Sequence, residues 1–80
     1  MTKVIVYRDG GEIIVESLNS GTICSFSCPK EAASGIIGTF INPSVPTQIK
    51  FTKKKGKGYF PLAKKDEKEL RGYFNVNMLA

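Results

Sequence analysis

Through the first 28 residues, apolar positions recur at the period of β-strands. TKVIVYR (2–8) is rich in β-branched residues and tyrosine, which suit a pleated, half-buried surface. Asp9-Gly10-Gly11 follows, and EIIVES (12–17) resumes the strand pattern. Asp-Gly between two such runs is a strong hairpin signal. After a turn at LNSG (18–21), TICSFSC (22–28) alternates, with Cys24, Phe26 and Cys28 on one face and Ile23, Ser25 and Ser27 on the other. These segments predict a three-stranded antiparallel meander. Ile13, Ile14 and Val15 do not alternate, so the pattern alone leaves the facing of the second strand open; Ile14 is the inward residue expected there.

At Pro29 the period changes. Ala32, Ala33, Ile36, Ile37, Phe40 and Ile41 fall at steps of one, three and four, one stripe of a helix over 29–41. Pro29 suits a first turn, and Glu31 complements the positive end of the helix dipole. Gly35 and Gly38 each cost about 1 kcal/mol relative to alanine in a helix. They mark either a close approach to the sheet or an early end. Pro43 and Pro46 stop the helix. TQIKFTK (47–53) predicts a fourth strand with Ile49 and Phe51 inward, KKGKG a tip, and YFPLA (59–63) a fifth strand at an edge, because Pro61 lacks a ladder donor. KKDEKELRG predicts a short surface helix, with Asp66 as N-cap, Gly72 past its end and Leu70 as its lone apolar residue. YFNVNML closes the chain as a sixth strand.

The expected architecture is one α+β domain spanning residues 1–80: a small antiparallel sheet in the order β-β-β-α-β-β-β, with one main helix packed on it. Three strands, a helix and further strands is also the element order of an OB-like barrel, a fold that binds oligonucleotides. Likeness of element order does not fix function. The expected core is Val4, Val6, Ile14, Phe26, Ile36, Ile37, Phe40, Ile49, Phe51, Leu62, Val76 and Met78.

Composition adds bounds. Hydrophobic residues make up 41% and charged residues 24% of the 80, the balance of a globular domain. A chain of this length buries only about 60% of its unfolded surface, so a single small core is expected. No apolar run approaches the roughly 20 residues that cross a bilayer, and the first residues lack the apolar stretch of a secretory signal. A cytoplasmic protein without membrane association is expected. Cys24 and Cys28 on one strand would lie about 13 Å apart, too far for a disulfide. With no histidine and only two cysteines, neither a metal site nor a cofactor is expected. Two core thiols are the plainer reading.

Charge changes the picture most. Residues 1–47 hold three basic against four acidic residues, a net of −1; residues 48–80 hold nine against three, a net of +6. Such asymmetry points to an anionic partner. The candidate binding residues are Lys50, Lys53, Lys54, Lys55, Lys57, Lys64, Lys65, Lys68 and Arg71, with Tyr59 and Tyr73 as stacking rings. Lysine is a compact charge suited to phosphate, and exposed rings stack on unpaired bases for about 1–3 kcal/mol each. With two arginines in the chain and no recognition helix, low sequence specificity is expected. The plain alternative for the lysines is solubility and the guarding of an edge strand.

Catalysis is not expected. Without histidine there is no Ser-His or Cys-His pair. KKKGKG lies between strands, so it lacks the helix N-terminus of a phosphate loop. The leading expectation is a small basic nucleic-acid-binding protein, contacting DNA or RNA backbone. The alternative is an accessory or inhibitor protein, of the size and charge of small viral inhibitors, that docks on an acidic protein surface.

Overall fold

The computed structural model describes residues 2–41, 44–52, 60–74 and 79. β1 (Thr2–Asp9) and β2 (Glu12–Ser17) form the first hairpin, and β3 (Ile23–Phe26) pairs antiparallel with β2. At the tip Gly10 has φ +63 and Gly11 does not share a positive φ. That sign pattern belongs to a type II′ turn, whose twist matches that of the strands it joins.

β4 (Thr47–Phe51) corrects the all-antiparallel expectation: it pairs parallel with β1, giving a mixed sheet in the order β3-β2-β1-β4. The cause is the helix between them. β3 ends at one end of the sheet, α1 (Pro29–Gly35) carries the chain back, and β4 must then run in the same sense as β3 and β1. The sheet is open, so the barrel is not supported, while the α+β class holds. The fifth and sixth strands reduce, among the described residues, to two bridges, Arg8 with Phe60 and Ile49 with Leu79. Residues 75–78, including the expected core residues Val76 and Met78, lie outside the described residues.

The predicted 29–41 helix is interrupted. α1 ends at Gly35, and Ile36–Phe40 continue as a π-helical turn closed by the Ile41 amide on the Ile36 carbonyl at 3.1 Å. The chain enters α1 through Cys28, and the Ser27 hydroxyl donates to the Glu31 carboxylate at 2.8 Å. α2 (Lys64–Arg71) starts two residues before the expected cap: Ala63, not Asp66, precedes it. Asp66 and Glu67 fall in its first turn, Lys68 and Arg71 in its last, each sign favourable to the helix dipole.

One core lies between the helices and one sheet face. It holds Val4, Val6, Ile13, Val15, Ile49 and Phe51 from the sheet, and Ala32, Ala33, Ile36, Phe40, Leu62, Leu70 and Phe74 from the other layer. The pairing of Val6 with Val15 fixes what the pattern left open. Val15 and Ile13 point inward, while Ile14 is buried beside Tyr7 on the opposite face. Ile37, expected inside, is 52% exposed, because the π-helical turn keeps Ile36 and Phe40 inward. Leu70 corrects the surface placement of α2: it is 0% exposed and anchors that helix against the core. Cys24 and Cys28 are free and half-buried.

The two glycines of the helical segment divide cleanly. A Cβ at Gly35 would fall on the Phe26 ring, whereas one at Gly38 would meet nothing. Gly35→Ala is therefore expected to destabilise the fold by about 1–3 kcal/mol through overpacking. Gly38→Ala is expected to stabilise it by about 0.5–1 kcal/mol. Urea unfolding followed by circular dichroism separates them, and equal effects at both sites would contradict the assigned contact.

Candidate anionic-partner interface

The residues that flank the lysine-rich segment are both bonded to β1. The Thr52 amide donates to the Val6 carbonyl at 3.0 Å, so the chain is still on β1 when it leaves β4. It rejoins β1 at Phe60, where the Arg8 amide donates to the Phe60 carbonyl at 2.7 Å and the Phe60 amide donates back at 3.0 Å. The points of departure and return are thus two residues apart on β1. Lys53, Lys54, Lys55, Lys57 and Tyr59 lie between them, outside the described residues.

The return bridge brings in a cation that sequence reading assigned elsewhere. Arg8 is exposed and backbone-paired with Phe60, so it belongs to this end of the sheet despite lying in the acidic part of the chain. No local signal marks it; only the pairing does.

The remaining candidates divide between the two faces. Lys50 is exposed beside Ile5 on the face away from the helices. Lys64, Lys65 and Lys68 are exposed on α2, on the other face. Arg71 is held within the fold: its guanidinium lies 4.6 Å from the Phe51 ring centroid, and its Nε is 3.6 Å from Glu67. At partial exposure such an ion pair contributes under about 1 kcal/mol. Its consequence is positional, tying the end of α2 to the end of β4. Tyr73 is 47% exposed while its neighbour Phe74 is buried, and Phe60 is 39% exposed. Two rings therefore reach solvent near the cations.

The described charges nearly cancel. Arg8, Lys50, Lys64, Lys65, Lys68 and Arg71 stand against Asp9 and Glu12 at the hairpin tip and Asp66, Glu67 and Glu69 on α2, six against five. The positive excess of this region comes from the four lysines at 53, 54, 55 and 57.

A second feature lies at the opposite end of β1. Thr2, Ser17, Asn19, Ser20, Thr22, Thr39 and Phe40 line a shallow pocket of about 180 Å³. Its polar groups largely satisfy one another: the Asn19 side chain accepts from the Lys3 amide at 2.8 Å, and the Ser20 hydroxyl donates to that of Thr22 at 3.0 Å. None of its lining residues is charged. Among the described residues no three metal-ligating side chains come together, and no helix is long and apolar enough to cross a membrane. No family model, curated protein or solved structure matches the chain.

Proposed function

We propose that this chain is a non-catalytic binding protein that grips the backbone of a nucleic acid with low sequence specificity. The grip is made by Lys53, Lys54, Lys55 and Lys57, flanked by Arg8, Lys50, Lys64, Lys65 and Lys68. One observation carries this reading: the charge excess sits in a stretch free of acidic residues, whose two ends are both hydrogen-bonded to β1. A cation-dense segment tethered this way offers several phosphate contacts while its anchors stay in the sheet. Tyr73 and Phe60 add exposed rings, which favours a single strand over a duplex.

The test uses labelled 20-nucleotide single-stranded DNA, duplex DNA and RNA, each in two unrelated sequences, with labelled polyglutamate as an acidic polypeptide. The expected result is binding of all nucleic acids at low salt, preference for single strands, and less than about threefold difference between sequences. Binding of polyglutamate with none of any oligonucleotide would move the surface to an acidic protein partner. Strong discrimination between sequences would contradict a backbone grip.

A further inference from the structure

We propose that the free edge of β3 docks on the same edge of a second copy of this chain, forming a two-fold antiparallel pair centred on Cys24. This inference stands apart from the nucleic-acid reading and rests on three observations.

The first is the direction of the backbone groups. The Leu18 amide donates to the Lys3 carbonyl and the Ser17 amide to the Thr22 carbonyl, both at 2.9 Å. Antiparallel strands alternate the neighbour to which successive residues bond. With Val15 opposite Cys24, the backbone groups of Thr22, Cys24 and Phe26 therefore turn toward β2, and those of Ile23 and Ser25 turn outward. Among the described residues no strand takes them.

The second is that, short as β3 is, no charge, proline or bulge guards its edge. Edge strands are ordinarily protected by lysine, proline or a bulge. From Ser17 to Cys28 this chain has no charged residue and no proline, and β3 pairs with β2 in unbroken register. The other side of the sheet is different: Lys50 stands on β4 and Leu79 bridges to Ile49. On β3, Ile23 is left 58% exposed.

The third identifies the occupant. The chain carries a net charge of +5, so copies repel across most of their surface. β3 carries no charge, so copies can meet there without opposing like charges. A two-fold axis normal to the sheet joins only residues of the same face. Centring it on Cys24 sets Ile23 of each copy against Ser25 of the other, so that both outward residues are used twice. The two Cys24 residues then face each other as a non-hydrogen-bonded pair, with Cα atoms about 4.5 Å apart, inside the range a disulfide accepts. Four residues a side is well below a standard interface, so the dimer is weak and concentration-dependent.

The experiment is sedimentation velocity on the full chain from about 10 µM to 1 mM in reducing buffer, with thiol cross-linking by diamide, which takes two hydrogens from two thiols and leaves a disulfide. A reversible monomer–dimer equilibrium is expected. Cys28→Ser, which keeps Cys24, cross-links to a dimer; Cys24→Ser does not. Ile23→Lys, placed beside Glu16, guards the edge and weakens the dimer at least tenfold, with the circular dichroism spectrum unchanged. Ser25→Pro removes an outward donor and acts in the same direction. A monomer at 1 mM would overturn the proposal. So would a dimer indifferent to Ile23→Lys and cross-linked through Cys28.

Discussion

Leu70→Ala is expected to cost about 2–5 kcal/mol of folding stability, the range for emptying a fully buried leucine site. α2 has no other apolar residue, so its attachment depends on this side chain, packed with Leu62 and Phe74 in the core, and on the Arg71–Phe51 contact. Total stability for 80 residues is about 4–12 kcal/mol, so the loss is a large share of it. With about 4–8 °C of midpoint shift per kcal/mol in a domain this size, a fall of about 8 °C or more is expected in a thermal melt. Leu70→Met, which keeps the volume, is expected to cost under about 1.5 kcal/mol. Exposed neighbours such as Lys68→Ala should stay within about 0.5 kcal/mol. A Leu70→Ala variant as stable as the parent would remove α2 from the folded unit.

The second large effect concerns charge. Reversing Lys53, Lys54, Lys55 and Lys57 to glutamate takes the net charge from +5 to −3 and is expected to weaken oligonucleotide binding by about 100-fold or more at low salt. Each lost phosphate contact removes its share of counterion release. Net charge alone would also weaken binding, so a matched pair of double variants isolates the segment. Lys54→Glu with Lys55→Glu is expected to bind at least about tenfold more weakly than Lys3→Glu with Lys30→Glu, although both change the charge equally. Equal losses would make the interaction a property of the whole surface.

Local patterns foretold much of the sheet, and the exceptions have identifiable causes. Clean alternation in TICSFSC gave the facing of Cys24 and Phe26, and Gly10 marked the first turn. Ile13-Ile14-Val15 carries no alternation, so its facing waited on the pairing of Val6 with Val15. The parallel run of β4 depends on counting the helix as a reversal of direction, which no residue near Thr47 encodes. Ile37 satisfied the helical stripe and was displaced because the segment winds as a π-helix after Gly35. Leu70, alone in a charged helix, resembles a surface residue until Leu62 and Phe74 are seen around it. For the candidate interface, the lysine segment was plain from composition, whereas Arg8 joined it only through a bridge to Phe60, about 50 residues away in sequence.

The most direct measurement is fluorescence anisotropy of labelled single-stranded DNA across about 25–300 mM salt. Four to seven lysine–phosphate contacts predict that log K falls with log salt at a slope of about −3 to −5, since each contact on a single strand contributes about −0.7. No binding at the lowest salt, or binding with a slope near zero, would contradict the backbone grip.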